Sequence, residues 1–246
     1  MKLHSSRVTL LFMLFEIVMI VSLVSCNPWP GGNNDKQTHP QVTEIPTSNA
    51  ITLENALPGT SNWEIPDGKG ASTQIQAYAS ATSVLPGQTL TFYASTQKEG
   101  TPYSIEIYRL GWYGGSGGRL MASIEKQVGF AQGYYDQHAH HLVRCSSCLV
   151  DTSTGLVEAN WLPSTLFTVP SNWVTGVYLA KFIDAKGLQT YVPFDVRGNA
   201  HSLYIAVTSN TTYAAYNDWG GYSLYRSFGT GEEPGSIQIA SLVLQW

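Results

Sequence analysis

Charge is scarce in this sequence. Lys, Arg, Asp and Glu together make up 12% of its 246 residues, about half the share usual in globular domains. The formal net charge is −4 and the 13 basic residues form no stripe. That argues against nucleic acid, which is held by neutralising phosphates. Several catalytic signatures are missing too. No G-x-S-x-G elbow occurs, and no Ser or Cys has an evident base nearby in sequence, so an ordinary triad hydrolase finds no support. The glycines of YRLGWYGGSGGRL (Tyr108 to Leu120) do not follow the phosphate-loop order, and no helical pattern follows them. They read as a tight turn lined by Trp112 and Tyr113. No carboxylate pair stands out for glycosidic chemistry.

What is present points outward from the cell. Aromatics reach 12% and glycines number 23, a mixture suited to exported β proteins. Lys2 and Arg7 precede an apolar run, Val8 to Val24, that ends at Leu-Val-Ser-Cys. This reads as a bacterial lipobox with Cys26 acylated, giving residues 1–26 as a signal segment. Two acyl chains suffice for stable anchoring where one is marginal. The alternative is an uncleaved membrane helix, in which Glu16 would cost roughly 2–3 kcal/mol. The expected location is therefore extracytoplasmic, at a bacterial cell surface or in the periplasm, with membrane lipid as a partner through Cys26.

Residues 27–72 begin with a Pro-, Gly- and Asn-rich stretch and read as a flexible linker. From Thr73 to about Arg197 the apolar period is two. Ile75, Ala77 and Ala79 alternate with polar or aromatic neighbours, as do Leu90, Phe92 and Ala94, Ile105 and Ile107, and Val192, Phe194 and Val196. One apolar face per short strand predicts an antiparallel β-sandwich of immunoglobulin-like size. Pro193 belongs on an edge or at a bulge. Arg109 interrupts its strand's alternation, so it points either inward to a carboxylate or outward to a partner.

Leu203 to Val207 is apolar on both faces and predicts a covered strand of an α/β sheet. Residues 198–246 then read as the start of a second domain that is too short for a core of its own.

Two constellations remain. HAHHLVRCSSC gathers His138, His140, His141, Cys145 and Cys148. It is compatible with a Cys145–Cys148 disulfide, with a structural zinc site in reversed His-to-Cys order, or with neither. The other is TTYAAYNDWGGYSLYRS, Thr211 to Ser227, with Tyr213, Tyr216, Trp219, Tyr222 and Tyr225 around Gly220-Gly221. As strand and turn its rings are packing residues. At the C-terminal end of an α/β strand they line a pocket. Exposed on one face, Trp112, Tyr113, Trp219 and Tyr222 would instead make a carbohydrate- or protein-binding surface.

Taken in order, YSIEIYRLGWYGG, WVTGVYLAKF with YVPFDVR, and TTYAAYNDWGGYSLY resemble the N,N-dimethylformamidase large (beta) subunit family. The likeness runs from about Thr73 to Tyr225. It implies a sandwich followed by an amidotransferase-like α/β domain without that fold's cysteine chemistry. It also implies hydrolysis of small amides by an iron held through two tyrosines and a glutamate, and a small subunit or a second copy as partner. Tyr216, in Ala-Tyr-Asn, is the position matched to an iron tyrosine, with Tyr213 its near alternative. No Gly-His-Asp-Glu-Tyr-Trp-like stretch occurs before Trp246, so the expectation is a chain truncated inside the catalytic domain and inactive by itself.

Overall fold

The computed structural model describes residues 49–198, 204–221 and 223–225. The signal segment with Cys26, the first part of the linker, Tyr222 and most of the chain's last part lie outside the described residues.

The described fold begins earlier than the linker reading places it. Helix α1, Ala50–Asn55, starts at Asn49, whose side-chain oxygen accepts the N–H of Thr52 at 2.8 Å, an N-cap that satisfies an otherwise orphan donor. Six residues are too few to hold a helix by propensity. Tertiary contacts hold it: Glu54 is buried, accepts from Tyr113 Oη (2.9 Å) and pairs with Arg119 (2.8 Å). Linker composition does not reveal such contacts.

The described residues then run through twelve strands: β1 (Ile75–Ala79), β2 (Ser83–Val84), β3 (Thr89–Thr96), β4 (Pro102–Leu110), β5 (Gly118–Val128), β6 (Tyr134–Asp136), β7 (His141–Val143), β8 (Leu149–Asp151), β9 (Leu156–Glu158), β10 (Thr165–Thr168), β11 (Gly176–Asp184) and β12 (Gln189–Val196). A three-stranded sheet β1-β3-β10 faces a five-stranded sheet β2-β12-β11-β4-β5. This is the sandwich that the period-two pattern predicts. Ile75, Leu90, Phe92, Ile105, Ile107, Phe182, Phe194 and Val196 are buried between the layers; each large side chain of this kind stabilises the fold by about 1.5–3 kcal/mol. Pairing is antiparallel except between β2 and β12, which run parallel at Asp195 and Val196. Pro193 lies beyond that short pairing, so on the β2 side its missing N–H interrupts no ladder.

The outer face of the larger sheet is not open. Residues around Trp63 fold over it, with Tyr191 Oη donating to Trp63 O and buried Lys181 donating to Asn62 O. Trp63 Nε1 donates to Ser116 O at 3.0 Å, and a Cβ at Gly118 would meet the Trp63 ring at 2.6 Å. The glycine-rich turn therefore seats an indole. Within it Trp112 is exposed and Tyr113 buried. Arg109 is also buried, with Nη1 donating to Tyr113 Oη (2.9 Å) and Nη2 to Thr175 O (3.0 Å). It points inward, reaching Glu54 only through the tyrosine.

Between β5 and β10 the chain inserts two small hairpins, β6-β7 and β8-β9. They carry a second apolar cluster of Tyr135, Val157, Ala159 and Trp161, joined by Trp219 from the far end of the described chain.

Candidate functional site

The region of interest is where residues 204–225 meet the sandwich and its insert. Of the covered strand expected at Leu203 to Val207, Leu203 lies outside the described residues, and Tyr204, Ile205 and Val207 are each 85% exposed or more, in irregular backbone. A strand covered on both sides needs ladder partners and flanking layers, and no described strand pairs with this run. Apolarity alone misled the reading. The strand-and-turn reading of the aromatic stretch also fails at its start, because Asn210–Tyr216 is a helix, α2. Ala214 and Ala215 favour a helix over the β-leaning Thr and Tyr around them. The backbone bonds Tyr213 N to Ser209 O (3.0 Å) and Asn217 N to Tyr213 O (3.0 Å) close the turns.

At Asn217 the backbone turns extended and delivers Trp219 into a groove between β1 and the insert. The indole is 1% exposed, sits edge-on to Trp161 at 5.8 Å, and donates from Nε1 to Gln76 Oε1 at 2.9 Å. Gln76 is itself fully buried. Its Oε1 also accepts the Tyr135 N–H (3.0 Å), while Nε2 donates to Tyr135 O and Ser72 O (2.8 Å each). One amide thus spends its whole donor and acceptor capacity tying β1, β6 and the C-terminal segment together. Gly220 follows at φ 91°, and a Cβ there would sit 2.7 Å from Val157. The turn needs glycine both for its backbone conformation and for its contact with the insert.

Tyr216 stands at the opposite, open side. It is 64% exposed and stacks on Tyr225, ring centroids 4.6 Å apart; the Leu224 N–H to Ala215 O bond (3.1 Å) brings the two segments together. Tyr213 instead lines a cavity of about 320 Å³ with Leu110, Leu179, Tyr191 and Asp195, the last accepting from Thr208 Oγ1 at 2.7 Å. A larger cavity, about 670 Å³, lies on the other flank of α2, walled by Tyr78, Tyr93 and Trp161. The four aromatics proposed for a binding face do not share one among the described residues. Trp112 is exposed, whereas Tyr113 and Trp219 are buried, and Tyr222 lies outside the described residues.

Cys145 and Cys148 are joined as a disulfide, Cα atoms 5.3 Å apart, which packs against the Trp161–Trp219 cluster. His138, His140 and His141 are exposed on the neighbouring hairpin. Among the described residues no group of three or more His, Cys, Asp or Glu side chains converges to hold a metal ion. For iron, the stacked Tyr216 and Tyr225 offer phenol oxygens, a hard donor type suited to it.

Titration in this region is governed by burial. The Tyr135 phenol is pushed up to about 12, first by burial and then by the nearby Asp218 and Asp136 carboxylates. Its hydroxyl is buried without a hydrogen-bond partner. Asp136 is held below the usual carboxylate range by the N–H groups of Ala139 and His138.

An antiparallel sandwich with a hairpin insert, on which a helix and an anchored Asn-Asp-Trp-Gly-Gly turn are docked, defines a β-sandwich protein with an appended C-terminal segment. Residues 104–243, more than half the chain, match the family model described as N,N-dimethylformamidase beta subunit-like, C-terminal. The chain belongs to that family. No curated protein matches it.

Three residues that organise this region, Gln76, Tyr78 and Tyr93, were not singled out by sequence. They occupy outward positions of the alternation and read as solvent-facing. One signal was available: Tyr78 and Tyr93 fall opposite each other across β1 and β3, an aromatic pair on a face that should otherwise be polar.

Proposed function

We propose that this chain is a lipid-anchored, extracytoplasmic member of the N,N-dimethylformamidase beta-subunit-like family, tethered through a diacylglyceryl group on Cys26. The basic start, the apolar run and the Leu-Val-Ser-Cys ending support the anchor. The family's reaction class, hydrolysis of small amides with iron as cofactor, is the chemistry we assign to this lineage. The observation that carries the assignment is the anchoring of Trp219 on Gln76. It builds part of the family-matched region into the sandwich, and Tyr216 stands at the end of α2. In this reading the sandwich is a platform that positions the segment, and Tyr216 contributes one phenolate donor.

Tyr216 is one donor where the family resemblance implies two tyrosines and a glutamate, so we infer that these 246 residues do not turn over amides unaided, and that a small subunit or a second copy is the expected partner. Two experiments test the reading. Metabolic labelling with a palmitate analogue should mark the chain and not a Cys26→Ala variant; equal labelling of both removes the anchor. Purified chain supplied with iron should release neither dimethylamine nor ammonia from a panel of small amides; release would overturn the inactivity.

A further inference from the structure

The larger cavity beside α2 has a chemistry of its own, separate from the amide-hydrolase reading. Tyr216 is not among the residues lining it. Its volume, about 670 Å³, lies inside the roughly 300–1,000 Å³ range of small-molecule sites.

One wall is aromatic. Tyr78 and Tyr93 stack at 4.6 Å with their planes 8° apart, and Trp161 leans on Tyr78 at 5.5 Å. Aromatic faces are electron-rich and attract the weakly positive C–H groups of a saturated ring. The remaining lining is Pro163, Pro193 and small side chains, with Ser80, Thr82, Asn160, Asn210 and Thr211 supplying hydroxyl and amide groups. These both donate and accept. No Asp, Glu, Lys, Arg or His lines the cavity.

These features select a ligand class. A charged ligand would lose hydration with no counter-charge to meet. A bare hydrocarbon would cover the amide and hydroxyl groups without satisfying them. A ring that is apolar on its faces and hydroxylated at its edge meets both kinds of wall. Asn160 adds a fixed element: its backbone is held at φ 46°, uncommon for a residue with a side chain.

We propose that this cavity, between the outer face of β1 and β3 and helix α2, is a binding site for a neutral pyranose sugar. Tyr78, Tyr93 and Trp161 form its stacking wall, and Asn160, Asn210 and Thr211 its hydrogen-bonding groups.

The test is a titration of the full-length chain, followed by tryptophan fluorescence and calorimetry. The probes are the methyl glycosides of glucose, galactose and mannose, their neutral disaccharides, and the charged counterparts glucuronate and glucosamine. At least one neutral sugar should bind saturably, with its charged counterpart at least about tenfold weaker. Two variants locate the site. Tyr93→Leu removes part of the wall, and Ala214→Trp fills the cavity from an exposed helix position without disturbing the core. Each should weaken binding by about tenfold or more, while Trp112→Ala, on the glycine-rich turn and not among the lining residues, leaves it unchanged. Failure of every neutral sugar to saturate, equal binding of the charged counterparts, or undiminished binding by Ala214→Trp would each overturn the proposal.

Discussion

Gln76 and Trp219, 143 residues apart in sequence, meet through a 2.9 Å hydrogen bond in a site closed to water. The bond is the junction between the sandwich, its hairpin insert and the family-specific segment. Shortening Gln76 to Ala leaves the Trp219 indole N–H and the Tyr135 backbone unpartnered, at about 1–3 kcal/mol for each stranded group. Trp219→Ala removes a buried ring and should cost about 3–5 kcal/mol. In urea titrations the double variant should lose less than the sum of the two, with a coupling of at least about 0.5 kcal/mol. Strict additivity would show that the two side chains act independently.

Tyr135 gives a pH prediction. Its folded-state value is raised to about 12 by burial, above the unfolded value near 10. Between these limits the unfolded chain binds fewer protons than the folded one, so stability falls as pH rises. Below pH 10 the group contributes no slope. Tyr135→Phe should flatten part of the decline between about pH 10 and 12. At neutral pH it should change stability by no more than about 1 kcal/mol, because the hydroxyl it removes has no partner. An unchanged alkaline profile would exclude Tyr135 as a contributor.

The start of the described fold hangs on Glu54. Its carboxylate accepts from Tyr113 and pairs with Arg119, so Glu54→Ala leaves the buried Tyr113 hydroxyl without an acceptor and Arg119 without its carboxylate, and should cost about 1–3 kcal/mol. The loss should be local as well as global. Proteolysis should cut within residues 49–65 of the variant before it cuts the sandwich. New cleavage that begins within the sandwich instead would contradict the role given to α1.

Reduction of Cys145–Cys148 should add two hydrogens to the intact mass and lower stability by about 2 kcal/mol, the chain-entropy estimate for so short a loop. The disulfide packs on the second cluster, so reduction should also broaden the Trp161 and Trp219 side-chain resonances. Unperturbed resonances would separate the hairpins from the anchor.

The sandwich was legible because its strands show one face to a common core, and a period-two pattern encodes that directly, as at Ile105 and Ile107. Its outer coverings were not legible. Gln76, Tyr78 and Tyr93 sit where alternation places solvent, and only an insert 40 or more residues away by the β6 and Trp161 positions reveals that the face is covered. Helix α2 was hidden by Thr and Tyr, which lean towards strands. The run before it was over-read because apolarity registers without naming a neighbour. The aromatic stretch identified the family from its order of residues, yet the same rings divide by burial into an anchor, Trp219, and an exposed stack, Tyr216 on Tyr225.

Hydrogen exchange at the tryptophan side chains tests the central claim most directly, because the chain carries its own exposed reference. Trp112 is 72% exposed and Trp219 1%. If the family segment is anchored on the sandwich, the Trp219 indole N–H should exchange only by opening of the fold, orders of magnitude more slowly than that of Trp112. A Trp219 indole that exchanges as fast as Trp112 would contradict the anchor and the account built on it.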